Sequence, residues 1–200
     1  MGQTALHFAV EPGDPKRLVG RQVANAGFLR AYLAHGAANP VHIHASHEGF
    51  EQFRALFPGS RALVHVPAHR GRDLVDLSGL FMPGPALAER AWNRRLVGRG
   101  KYSLSGVTHA MASRRAQDAV REMLVAPMAP WDALICASQS VKSLVERLIA
   151  DYSGALAGIV RGRPEFKPQL PVIPLGADVE ALSAIPDAAG VSFRAEHGIP

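Results

Sequence analysis

Histidine is the residue type in this chain best suited to chemistry near neutral pH, and five imidazoles crowd one stretch: His42, His44, His47, His65 and His69. On an extended segment His42 and His44 project from the same face, and His47 could fold back toward them. Zinc needs a full set of ligands in defined geometry, often with a carboxylate or thiolate among them. The spacing here matches no zinc signature, so neither a metal nor a cofactor is expected. The other reading makes His44, Ser46 and His47 acceptor contacts in a ligand cleft, or plain strand-end polar residues.

His109 closes the run Leu104-Ser105-Gly106-Val107-Thr108-His109, where Gly106 and Thr108 permit close packing. It either meets a ligand or caps the next helix. Arg99 and Lys101 immediately precede that run and could hold a phosphate or an acidic sugar. The rival reading leaves them on solvated surface. Gly27 could let backbone N–H groups approach an anion at a positive helix end. If the helix begins near Val23, Gly27 is instead a packing residue within it. Ser138 and Ser140 are suited to cap a helix.

These residues need a scaffold, and the pattern supplies one. Apolar runs predict strands at Ala5–Val10, Val41–Ala45, Ala62–Val66, Leu80–Met82, Leu104–His109, Asp132–Ala137 and Val172–Ile173. Between them, helices are predicted over Val23–His35, Glu48–Leu56, Ala86–Val97, Ser113–Leu124 and Ser140–Tyr152. Arg90, Arg94 and Arg95 fall on the polar side of the third helix and read as mostly solvated. Strands alternating with helices imply βαβ units and a parallel sheet. The expected fold class is therefore α/β: a Rossmann-like parallel sheet with helices on both faces. In such a sheet ligands bind beyond the carboxyl ends of the strands. That rule selects the loop after Val10, His44-Ala45-Ser46, His65 to Arg70, His109 and Ser138.

Composition narrows the class. A chain of 200 residues with 48% hydrophobic and 20% charged residues can bury one substantial core. No apolar run approaches membrane-spanning length, the amino terminus reads as no secretory signal, and Leu6 breaks a myristoylation motif. The lone Cys136 cannot form an internal disulfide and reads as a small buried hydrophobe in a reducing, cytoplasmic protein. The net charge of +5 could serve phosphorylated molecules, nucleic acid or a membrane surface. Only Trp92 and Tyr102 interleave with the arginines, too few to stack bases, so no nucleic-acid partner is expected.

The final third carries a more specific signal. Trp131-Asp132-Ala133-Leu134-Ile135-Cys136-Ala137-Ser138 precedes a helix, followed by Leu170-Pro171-Val172-Ile173-Pro174-Leu175-Gly176-Ala177-Asp178. The chain closes with Phe193-Arg194-Ala195-Glu196-His197-Gly198-Ile199-Pro200. This order resembles the nucleotide-sugar glycosyltransferases of family 4, which have the GT-B fold. The resemblance implies that residues 1–182 are the N-terminal, acceptor-side domain. Residues 183–200 would be a linker toward a C-terminal donor-binding domain absent from this chain. It further implies retaining sugar transfer without a metal, with His109 contacting the reacting sugar and Ser138 bordering the interdomain cleft. Family members often carry a Gly-rich loop facing the donor diphosphate, which Gly20 and Gly27 match only in part. The implied partners are a nucleotide-sugar donor and a sugar, lipid or small-molecule acceptor, at the inner face of a membrane or free in the cytoplasm. This half alone would be inactive. Two other readings stay open: a stand-alone binding module for a phosphorylated ligand, and a GT-B sugar-nucleotide epimerase.

Overall fold

Short apolar runs separated by helices favour parallel pairing, and a computed structural model of the chain shows it. It describes residues 3–9, 20–59, 61–98, 100–109 and 111–200. The strands are β1 (Thr4–His7), β2 (Val41–Ala45), β3 (Leu63–Pro67), β4 (Gly79–Met82), β5 (Ser103–Thr108) and β6 (Ala133–Cys136). They form one sheet in the order β3-β2-β1-β4-β5-β6, with every neighbouring pair parallel. The order reverses between β1 and β4, the position where open α/β sheets form a crevice.

The helices are α1 (Gly20–His35), α2 (His47–Leu56), α3 (Ala88–Val97), α4 (Arg114–Glu122), α5 (Gln139–Ala157), α6 (Val179–Ser183) and α7 (Asp187–Glu196). A 3-10 turn, Gly71–Leu74, links β3 to β4. Register decides which face each helix covers. Ala5 aligns with Leu80, and Leu80 with Leu104, so all three point to one face. They share a core with Ala91 of α3, Val120 of α4 and Val145 of α5. Leu6 aligns with Ile43 and Phe81 on the opposite face. There Leu6 and Ile43 meet Leu29 of α1 and Phe53 of α2. The fold is thus a doubly wound, Rossmann-like α/β sheet with helices on both faces.

Most expected elements are present within a residue or two. Strand β1 is shorter than Ala5–Val10, and Val10 with the loop after it lies outside the described residues. Helix α5 runs on to Ala157 rather than stopping at Tyr152. The expected last strand is reduced to single bridges, Ala133 with Gln169 and Cys136 with Val172. Pro168, Pro171 and Pro174 explain this, since each lacks an N–H and can join a ladder only at its edge. Residues 183–200, read as linker, contain α7, and every side chain described from Val172 to Pro200 is exposed.

One expectation is overturned. Arg94, assigned to the solvated side of its helix, is 1% exposed and forks onto Asp132, which is 0% exposed. Arg94 Nη1 donates to Asp132 Oδ1 at 2.6 Å and Nη2 to Oδ2 at 2.8 Å. The same carboxylate accepts from Leu104 N and Ala129 N, both at 2.8 Å. Arg94 also donates to the carbonyls of Tyr102 and Pro127, at 3.0 and 3.3 Å. A bidentate pair in this setting knots α3, the start of β5 and the entry to β6 into one unit. It fixes where β5, the strand that leads to His109, enters the sheet.

Candidate functional site at the carboxyl edge of the sheet

Because all six strands are parallel, their carboxyl ends lie along one edge. That edge brings together four of the candidates: His44, Ser46, His109 and Ser138. Strand β5 reaches it through a tight passage, since a Cβ on Gly106 would meet Gly84 O at 2.5 Å and Leu87 Cδ2 at 3.0 Å. Thr108 Oγ1 then donates to Ile135 O at 3.1 Å and accepts from Ala137 N at 3.4 Å. These bonds lock the end of β5 to the end of β6, so His109 and Ser138 start from adjoining strand ends. His109 is half-buried, and both of its ring nitrogens are shielded from solvent.

The two serines are helix caps. Ser46 Oγ accepts from Gly49 N at 3.0 Å and Ser138 Oγ from Val141 N at 3.2 Å, each satisfying an orphan donor of the first turn. Both hydroxyls remain at the edge and keep their own O–H donor.

His44 is buried, at 1% exposed, and pairs with His7 from the neighbouring strand. Their Nδ1 atoms lie 2.9 Å apart, and His7 Nδ1 is 3.1 Å from His44 O. His7 Nδ1–H donating to both acceptors satisfies this geometry, with His44 Nδ1 unprotonated. Burial, then the positive charge of Arg90, lowers His7 to about 4. Burial, then His7 and Arg90, lowers His44 to about 3. Both rings are therefore neutral at pH 7. They offer hydrogen-bonding capacity at the crevice without adding charge.

The sign of the resulting pH dependence follows by linkage. The unfolded chain protonates these rings near 6.5, whereas the folded chain resists until about 4 and about 3. The stability they contribute is complete above pH 6.5 and lost progressively as pH falls toward 4. Glu89 across the edge opposes this shift at His7 only weakly, while Arg90 and His65 reinforce it at His44. Thermal unfolding should show the melting temperature falling between pH 7 and pH 5, with a shallower slope in His44→Gln. An unchanged slope in that variant would assign the acid sensitivity elsewhere.

Of the remaining imidazoles, His47 and His65 have ring centroids 6.3 Å apart. His65 Nε2–H donates to Ala45 O at 3.0 Å, and its ring stacks on Phe50 with centroids 4.6 Å apart. His42 lies within β2 rather than at its end, and burial lowers its pKa. Among the described residues no group of three His, Cys, Asp or Glu side chains comes together to hold a metal ion.

Two candidates are not brought to the edge. Gly27 sits within α1, which begins at Gly20, and it is exposed with nothing near a built Cβ. Neither an anion site at the helix start nor close packing describes it. The helix extends further back than periodicity suggested, so its first turn precedes Gly27. Lys101 is exposed and stands before the amino end of β5. Strand β5 separates it from His109 by roughly 20 Å at about 3.3 Å per residue. Arg99 lies outside the described residues. Sequence reasoning passed over His7 and read Arg90 as mostly solvated, whereas its side chain is 18% exposed. His7 could have been found, because the strand-end rule that selected His44 applies equally to the last residue of β1.

No protein-family model matches the chain, and no curated protein is similar to it in sequence. Solved structures are similar. The Anabaena protein Alr3699/HepE in complex with UDP matches with a TM-score of 0.56 at 14% identity, over 99% of this chain and 50% of that one. Its complex with UDP-glucose gives 0.55 at 13%, over 98% and 50%. Its complex with UDP and glucose gives 0.57 at 13%, over 98% and 50%. The fold is that of half a GT-B protein. At this level of identity the likeness is one of fold, and the chain spans about half the length of the structures it matches.

Proposed function

We propose that this chain is the N-terminal, acceptor-side domain of a glycosyltransferase that moves a sugar from a nucleotide-sugar donor to an acceptor. The observation that carries the reading is the half-length structural match to a protein crystallised with UDP and with UDP-glucose. The Pro-x-Gly-x-Asp passage Pro174–Asp178 and the ending Arg194–Pro200 support it, as does the position of His109 at the carboxyl edge. Residues 183–200 are proposed to lead to the second, donor-binding domain. Val179, Leu182, Val191 and Phe193 are each more than half exposed there, apolar surface that a further domain would cover.

In this reading the reaction proceeds with retention, and needs no metal. An oxocarbenium-like sugar and a departing diphosphate develop charge between the two domains. His109 orients a donor hydroxyl so that contact strengthens in the transition state. The acceptor is a sugar, a lipid or a small molecule, not nucleic acid. No helix among the described residues is long and apolar enough to cross a membrane; the proposed location is the cytoplasm, including the inner face of a membrane.

Intact mass of the protein as its native host makes it tests the two-domain part of this account. A mass near twice 21.4 kDa is expected. A mass near 21.4 kDa would overturn it and favour a binding module or a domain completed by another chain.

A further inference from the structure

A cavity of about 510 Å³ opens beside the histidine pair, between the segment Ala68–Leu74 and helix α3. This is within the range of small-ligand sites. His44 forms part of its wall, Arg70 and Arg72 enter from the first side, and Arg90 and Asn93 from α3. Three guanidiniums thus meet two carboxylates, Asp73 and Glu89.

The carboxylates do not saturate the arginines. Arg70 Nε pairs with Asp73 Oδ2 at 3.3 Å. Arg90 Nη1 is 3.8 Å from Glu89 Oε1, beyond hydrogen-bond reach. The Glu89 side chain is 77% exposed and well solvated, whereas that of Arg90 is 18% exposed. Arg72 has no ion pair among the described residues. A guanidinium that lines a cavity on a mostly buried side chain, without a close carboxylate, is complementary to a carboxylate or phosphate. His7 and His44 beside the cavity are uncharged at pH 7, and the arginines supply its fixed positive charge.

We infer that this cavity is an oxyanion subsite, which binds a phosphate or carboxylate group through Arg90 and Arg72. Resting on the proposed function, the group it takes is carried by the acceptor, which is then a phosphorylated or acidic molecule.

The test is direct binding of inorganic phosphate, and separately of glucuronate, to the full chain. It is followed by amide chemical shifts at constant ionic strength. Saturable shifts are expected in Arg70–Leu74 and Glu89–Asn93. Arg90→Gln should weaken binding about tenfold, the loss of one charge-assisted contact. Arg72→Gln, at an exposed position, should weaken it without disturbing the fold. Arg114→Gln on α4, 91% exposed, should leave it unchanged. Binding of phosphate alone would identify a phosphorylated ligand, and of glucuronate alone an acidic sugar. Absence of saturable binding by either anion would overturn the subsite. So would binding indifferent to Arg72→Gln and Arg90→Gln, or equally weakened by Arg114→Gln. Because binding is read without turnover, a protein that holds the anion but transfers no sugar would keep the subsite and lose the acceptor assignment.

Discussion

Asp132→Asn is expected to destabilise the domain by about 3–5 kcal/mol, the cost of breaking a buried ion pair from one side. The carboxylate is 0% exposed and accepts four hydrogen bonds, two from Arg94 and one each from Leu104 N and Ala129 N. An asparagine keeps the shape but presents one oxygen and an N–H₂ that faces donors. The guanidinium of Arg94, 1% exposed, is left without a counter-charge. Domains of this size are stable by roughly 5–15 kcal/mol, so the variant approaches the unfolding threshold. Replacing both partners by apolar residues does not restore stability here as it does for isolated pairs, since Leu104 N and Ala129 N would remain buried and unsatisfied, at about 1–3 kcal/mol each. Urea unfolding of the single and double variants measures this. A loss below about 1 kcal/mol for Asp132→Asn would show that the knot does not hold β5 and β6 in place.

His109→Ala is expected to lower turnover by about 10²–10³-fold in the protein with both domains, the scale of losing one placed transition-state contact. Folding should be retained, because the residue follows β5 rather than filling its core. The useful readout is the split between constants: a contact made in the transition state lowers kcat and kcat/KM together. Unchanged turnover, with an unchanged melting curve, would remove His109 from the chemistry and leave it a residue at a strand end.

What could be read from the sequence was set by local physics. Val41, Ile43 and Ala45 recur at alternate positions and are all buried, and their strand has the expected limits. Ser138 was legible as a helix cap and accepts from Val141 N, whereas Ser140, read as a second cap, lies within α5. Gly106 was legible as a close-packing residue, and the carbonyl of Gly84 shows why. The misses are long-range. Arg94 shares a helical face with charged neighbours, and nothing local tells that its side chain finds Asp132, 38 residues away. The cavity at Arg90 was legible only in part: the strand-end rule selected His44 and the stretch His65 to Arg70, which supply part of its wall, but the 3-10 turn Gly71–Leu74 has no periodicity to announce it. Lys101 was misplaced by proximity in sequence to His109, which strand geometry converts into separation in space.

The measurement that bears most directly on the central claim is acceptor-dependent turnover of nucleotide sugars by the protein as its native host produces it. The assay incubates it with a panel of donors, beginning with UDP-glucose, with and without phosphorylated, acidic and neutral acceptors. The account predicts release of nucleoside diphosphate only when an acceptor is present, with the sugar recovered on that acceptor in its original anomeric configuration. A nucleotide sugar isomerised with no acceptor added, or no donor consumed under any condition, would contradict it.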